Sequence, residues 1–405
     1  MSFGIPLSGI NAAQSDLNVT ANNIANSNTT GFKQSRSEFS ELFAVSAQGV
    51  SKTQNGAGVK IANIAQQFTQ GNIEATNNSL DLALSGQGFF ILSNAGDAAY
   101  TRSGAFQTDN AGYMVNAEGQ RLQAYPPTST GTFNTTTLSD LRLITGDSAP
   151  AATTKADVTF NLPAKAAQPS VAVFDPANSN SYNNSTSMTV YDSLGAVHTA
   201  SMYFVKTPAA NAWETRLYID GSAVGGAQAL QYSNLGAIVA PVGGKITFPT
   251  YTPTTGAAGM DLTVNYATST QYGDTFAVSA VSQDGYTTGR LIGISVDSTG
   301  VVQARFTNGR SLSLGQVALA NFANAEGLQP LGDTNWAETF GSGQVLHGQA
   351  GNSGFGLIQA GSLEQSNVNI TAQLVNMITA QRNFQANAQM ISTENQITQT
   401  IINIR

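Results

Sequence analysis

Apolar side chains recur at alternating steps of four and three residues at both ends of the chain. Phe3, Leu7, Ile10, Gln14, Leu17, Ala21 and Ile24 form one stripe, and Ile370, Leu374, Met377, Gln381, Phe384, Ala388 and Ile391 form another. This is the spacing of a coiled-coil seam. After Ile391 the second stripe slips by one position to Ile397, Ile401 and Ile404. The pattern predicts helices over residues 3–26 and 365–404, roughly 35 Å and 60 Å long at about 1.5 Å per residue. A helix entering the body from the N-terminus and one leaving it to the C-terminus lie side by side only if antiparallel, so the two chain ends are expected to meet.

Between the helices the pattern is β. Ala200, Met202 and Phe204 alternate with Ser201 and Tyr203, and Trp213, Thr215, Leu217 and Ile219 alternate with Glu214 and Arg216, as half-buried strands do. Asp-x-x-Gly turn signals stand at Asp109–Gly112, Asp192–Gly195 and Asp297–Gly300. Residues 46–58 are small, polar and glycine-rich, as an extended arm would be. Residues 145–187, rich in Ala, Thr, Ser, Asn and Pro, open a middle region running to about 283 that reads as an insert. The expected fold is α+β and mainly β, with terminal antiparallel coiled-coil helices and two β-rich domains, one inserted in the other. The boundaries are 1–70 with 360–405 for the helical core and arm, 71–147 with 284–359 for a β body, and 148–283 for the insert.

Charge changes the picture at the ends. Charged residues make up 10% of the 405 residues, against roughly 25% in an ordinary soluble chain. Residues 1–32 carry only Asp16, and residues 361–405 only Glu364, Arg382, Glu394 and Arg405. A solvated helix face normally carries Glu and Lys. Faces that meet copies of themselves bring like charges together, whereas Asn, Gln, Ser and Thr donate and accept at once. The terminal helices are therefore expected to be ordered by neighbours rather than alone. A net charge of −7 without a basic run makes nucleic acid an improbable partner. Cysteine is absent, which removes disulfides and thiolate metal sites together. The N-terminal stretch lacks a basic opening and a long apolar run, so it reads neither as a cleaved signal peptide nor as a membrane span.

Catalytic chemistry is hard to find. His198 and His347 are the two histidines, and neither has a second histidine at ligand spacing. His198 shares strand parity with Ala196 and Ala200 and reads as an ordinary, partly buried side chain. No nucleophile elbow, dinucleotide fingerprint or Walker loop occurs, and most acids sit at turn positions. Neither an enzyme nor a cofactor or metal site is expected.

The stretch ANNIANSNTTGFK at residues 21–33 closes the first helix with Asn22, Asn23 and Asn26 and continues into Gly31, Phe32 and Lys33. It resembles the N-terminal signature of bacterial flagellar rod and hook proteins. The last forty residues, with VNMI, AQRNFQANAQ and a terminal INIR, resemble the closing helix of that family, and LALSGQGFF, YTRSGAF and LANFANAEGL add to the likeness. The insert and the SEFSELFA arm at residues 37–44 favour hook members over distal-rod members. The resemblance implies a tubular homopolymer that transmits motor torque, and an extracellular place in the flagellum. Its implied partners are rod, hook cap and hook–filament junction proteins, with export through the flagellar type III apparatus without signal cleavage. A secreted adhesin and a polysaccharide hydrolase are the alternatives from other classes.

Within this reading, Leu7, Ile10, Leu17, Ile24, Leu374, Met377, Phe384 and Ile391 are expected at the assembly seam. Asn22, Asn23 and Asn26 are read as capping and inter-subunit hydrogen-bonding groups, or as local caps alone. Gly31 is expected at positive φ. Gly71, Gly285 and Gly361 are hinge candidates, with tight turns as the plainer explanation.

Overall fold

The computed structural model describes residues 3–42, 56–94, 96–128, 131–143 and 146–403. The chain divides into two compact units. One is Met1–Thr145 with Gly293–Arg305 and Ser311–Arg405; the other is Gly146–Ile292 with Phe306–Arg310.

In the first unit helix α1 is Gly4–Ala25 and helix α2 is Ile370–Asn403. Pro6 falls in the first turn of α1, where a missing N–H is tolerated. The helix stops at Asn26, whose Nδ2 donates back to the Asn22 carbonyl at 3.0 Å. Helix α2 begins at Ile370, the first residue of the apolar stripe and five residues after the expected start at 365. Residues 365–368 are extended because their backbone is used elsewhere: Gln365 N–H donates to the Asn72 carbonyl at 2.8 Å and Asn367 N–H to that of Phe32 at 3.4 Å. Asn369 then caps the helix, its Oδ1 accepting from Ala372 N–H at 3.0 Å. The helices run antiparallel, since Gly9 abuts Asn387 near one end while Asn23 Nδ2 lies 3.3 Å from Gln373 Oε1 near the other.

Strands β1 (Ser35–Leu42) and β2 (Gly58–Gln66) pair antiparallel from Ser35↔Gln66 to Leu42↔Gly58 and pack on α1. Most of the arm predicted at residues 46–58 lies outside the described residues. The β body shows why GFFIL is a continuous apolar run. Phe90 and Leu92 enter one core with Leu82, Leu122 and Leu319, while Phe89 and Ile91 enter a second with Tyr100 and Trp336. A strand alternates sides, so a strand covered on both faces must be apolar at every position.

The second unit is built on an antiparallel meander of Asn184–Tyr191, Val197–Lys206, Ala212–Ile219, Gln228–Tyr232 and Ile238–Ala240. A further sheet contains Lys155–Pro163, Thr263–Asn265 and Ala277–Gln283. The predicted alternation holds: Ala200, Met202, Phe204, Trp213, Leu217 and Ile219 all enter one core with Phe160 and Tyr266. Across the molecule the three Asp-x-x-Gly turns share one geometry. Oδ1 of Asp109, Asp192 and Asp297 each accepts from the N–H groups two and four residues on, at 2.7–2.9 Å. The glycines follow at φ of 81–86°, which a side chain would disfavour.

Candidate assembly surface and its anchor

The Gly31-Phe32-Lys33 motif forms an anchor. Gly31 sits at φ 71°, and a Cβ there would lie 2.5 Å from the Ser103 nitrogen. That close approach carries the chain inward and buries the next cation. The Lys33 side chain is fully enclosed, its Nζ 2.6 Å from Glu364 Oε1 and donating to the Thr69 carbonyl at 2.8 Å. Arg102 reaches the other oxygen of Glu364 at 3.3 Å, and Gly71 N–H donates to Oε1 at 2.8 Å. Burial pulls the Lys33 pKa below its ordinary value despite the attraction of Glu364, and Arg102 adds to the fall. Gly31 N–H also donates to the Glu364 carbonyl at 2.8 Å. One carboxylate thus ties the exit of α1, the strand-side Arg102 and the approach to α2 together.

The asparagines have separate duties. Asn23 is buried and pairs with the Ser35 backbone, donating to its carbonyl at 2.7 Å and accepting from its N–H at 2.9 Å. Asn26 closes the helix and accepts from Thr29 Oγ1 at 3.1 Å. Asn22 is exposed. Phe32 lies with Trp336, Pro330 and Gln66 around a cleft of about 380 Å³.

On the helices themselves the buried line runs one residue ahead of the apolar stripe. Pro6, Ala13 and Thr20 are buried on α1, and Gln373 and Ala380 on α2. These side chains are small or neutral, which lets two helices approach closely. Ile10, Leu17, Ile24, Met377, Phe384 and Ile391 flank that line half-buried, whereas Leu7 is 52% and Leu374 46% exposed. Val375, Ile378, Met390, Ile397, Ile401 and Ile402 are exposed as well. Asp16, the one charge of α1, turns toward Ser37 of β1, and burial raises its pKa. The outward surface of the helix pair is therefore apolar and amide-rich with hardly a charge.

The three hinge candidates each have a local reason to be glycine. Gly71 is pressed against the Gln365 carbonyl, Gly285 against Thr153, and Gly361 adopts φ 67° with its N–H on the Asp81 carbonyl at 2.8 Å.

Comparison with known proteins accounts for the whole chain. Residues 6–33 match the family described as Flagella basal body rod protein, residues 83–173 the Flagellar hook protein FlgE/F/G D1 domain, residues 161–286 the Flagellar basal body protein FlaE D2 domain, and residues 359–404 the Flagellar basal body rod FlgEFG protein C-terminal. The flagellar hook protein FlgE of Salmonella typhimurium is 38% identical over 417 residues, covering all of both chains. The chain belongs to the flagellar hook protein family. The hook protein of Escherichia coli is also 38% identical with full coverage of both, and that of Borreliella burgdorferi 34% with 98% of each. In fold, the chain is similar to the Helicobacter pylori flagellar hook protein FlgE2, with a TM-score of 0.55 at 15% identity over 72% of this chain and all of that one.

Hook-family membership makes this a structural subunit of the flagellum that polymerises with its own kind and associates with other flagellar components; neither the distal-rod nor the adhesin alternative is favoured. No described helix is long and apolar enough to cross a membrane. Sequence reasoning missed one polar cluster in the second unit. His198, buried on its strand, has Nδ1 2.5 Å from Asp220 Oδ2 and Nε2 3.2 Å from Asp192 Oδ2. Asp192 also accepts from Thr255 Oγ1 at 2.7 Å. Neutral imidazole has a single N–H, so two carboxylates call for the imidazolium. Burial lowers the His198 pKa, but the hydrogen bonds to Asp220 and Asp192 outweigh it and raise the value. Burial likewise opposes the Asp192 charge, yet Thr255, the Ala196 and Leu194 N–H groups and His198 bring its pKa down to about 2. The sequence signal was there in the Asp192–Gly195 turn before strand Val197–Lys206 and in Asp220-Gly221 after strand Ala212–Ile219, but nothing in the spacing fixed their convergence on the ring.

Proposed function

We propose that second copies of the chain cover the exposed rows of α1 and α2, building a tube around a central channel, with the terminal helices acting as a coiled-coil core. The carrying observation is the row Leu374, Val375 and Ile378, apolar and exposed on a helix that carries just two charged residues, Arg382 and Glu394, in 34 residues. With Leu7, Met390, Ile397, Ile401 and Ile402 exposed as well, burial that stabilises by up to about 1.5–3 kcal/mol for each fully covered side chain makes a strong drive to assembly. Asn and Gln around them pair with identical neighbours without charge repulsion.

In this reading the tube is the flexible joint that passes torque from rod to filament. The terminal pair of residues 1–70 and 360–405 keeps continuity along the tube, while the body of 71–147 and 284–359 and the inserted domain of 148–283 offer further surfaces to neighbouring subunits. Gly71, Gly285 and Gly361 absorb rotation between these parts. Rod, hook cap and junction proteins meet the tube's ends, and the subunit reaches the cell exterior through the flagellar type III apparatus without losing a signal peptide. The test is electron microscopy of concentrated full-length chain beside the double variant Leu374→Asp, Ile378→Asp. Tubes are expected for the parent and dispersed subunits with unchanged thermal unfolding for the variant. Normal tubes from the variant would overturn the reading.

A further inference from the structure

The loop between strands Asn335–Ala337 and Leu346–Gln349 holds Phe340 fully out in solvent, at 106% relative exposure. Loose loops often carry stray apolar residues, but this one is tightly tied. Thr339 N–H donates to Ser342 Oγ at 2.9 Å, and that hydroxyl donates back to the Thr339 carbonyl at 2.8 Å. Thr339 Oγ1 donates to the Gly327 carbonyl at 2.6 Å, and Asn324 Nδ2 to that of Gly341 at 3.0 Å. Ser342 is wholly buried, and a Cβ on Gly327 would come within 2.5 Å of the Gly341 carbonyl carbon. Everything around Phe340 is fixed while the ring touches nothing. Phe340 stands at the edge of a concavity of about 740 Å³ whose lining also includes Glu338, Thr339, Gly343, Gln344 and Val345.

We propose that Phe340 is an inter-subunit knob that seats against a second copy of this chain. This rests on the assembly reading above and adds a contact from the β body, remote in sequence from both helices. An aromatic ring on a pre-ordered loop is well suited to anchoring an interface, since little conformational freedom is lost on docking. The occupant is a second copy because residues 339–345 carry no charge, and Glu338 beside them is partnered by Tyr100. A rim whose single carboxylate is already hydrogen-bonded to Tyr100 suits an interface repeated between identical chains, where any free charge would meet the same surroundings in every copy. Seated on a patch of the neighbour other than its own loop, the ring makes a heterologous contact, as a helical polymer requires.

The experiment compares full-length parent and Phe340→Ser, with sheared parent polymers as seeds, by the subunit concentration left free at equilibrium. The variant should unfold thermally like the parent, because the ring packs on nothing, yet leave about tenfold more subunit free, or greater. Phe340→Leu should recover part of the loss. A photoreactive benzophenone side chain at position 340 should crosslink one subunit to another in the polymer. An unchanged free concentration, or a crosslink solely to a different flagellar protein, would overturn the contact. A parent chain that never assembles would remove the assembly reading and the knob with it; a parent that assembles beside an unaffected Phe340→Ser would remove the knob alone.

Discussion

The second unit and helix α2 dispose of apolar side chains in opposite ways. In the former, Trp213, Phe204, Val158, Leu230 and Tyr266 have no solvent exposure, and they close a core of their own. Of the 34 residues of α2, the buried ones are Gln373 and Ala380, while Leu374, Val375 and Ile378 face outward. The same chemistry is spent inward in one region and left outward in the other. A region that buries its own large side chains folds on its own account. A helix that buries an amide and a methyl, and exposes its leucine and most of its isoleucines, is completed by another surface.

That contrast is broken most forcefully by Trp213→Ala. The cavity should destabilise the second unit by about 3–5 kcal/mol, read as a shift in denaturant midpoint, while leaving assembly of still-folded chains intact. A result under about 1 kcal/mol would mean that the core does not rest on this ring. Glu364→Gln has a similar scale in the first unit, because it leaves the Lys33 and Arg102 cations enclosed without their counter-charge; removal of one partner of a buried pair costs about 3–5 kcal/mol. Double replacement Lys33→Met with Glu364→Gln should recover part of that loss, as fewer uncompensated charges stay buried. Failure to recover would show that hydrogen bonds to Gly71 and Thr69, not charge, hold the anchor.

A finer probe is pH. The folded pKa of His198 is raised above its ordinary value near 6.5, so its stabilisation is fully present below about pH 6.5 and is lost as pH rises through the folded pKa. Asp192 works in the other direction: its pKa falls from 3.8 to about 2, so its contribution is present above pH 3.8 and is lost on acidification toward pH 2. Thermal unfolding of the second unit should therefore weaken at both extremes. His198→Asn should flatten the alkaline side and lower stability most in acid to neutral solution. An unchanged alkaline slope would exclude the imidazolium as its source.

What the sequence made legible follows the same division. Period-two alternation at Ala200–Phe204 and Trp213–Ile219 is decided by burial within one unit, so the pattern and the strands agree. Both helices and their antiparallel pairing were legible for a related reason: Asn at the exit of α1 and three heptads of apolar stripe from Ile370 to Ile391 in α2 leave few other conformations. The start of α2 was read five residues early because Gln365–Val368 obey tertiary hydrogen bonds that no local pattern encodes. The phase of the buried line differs for the opposite reason. A stripe of leucine and isoleucine announces that something covers it, but not whether the cover comes from the same chain. The anchor was legible as Gly31 and Lys33, yet the pairing of Lys33 with Glu364 spans 331 residues and only the fold supplies it.

Leu374→Ala is the smallest and most discriminating change. Leu374 is 46% exposed and lies beside the buried line rather than on it, so truncation should move the stability of the isolated chain by no more than about 0.5 kcal/mol. Ala380, on that line, is 1% exposed, and enlarging it to Leu should push the two helices apart and cost about 1–3 kcal/mol in the isolated chain. If the outward row belongs to another copy, Leu374→Ala should instead raise the free-subunit concentration over polymers, with thermal unfolding of the isolated chain unmoved. Should Leu374→Ala cost the isolated chain as much as Ala380→Leu, the helix pair would be burying its leucines by itself, and the difference between the two regions would vanish.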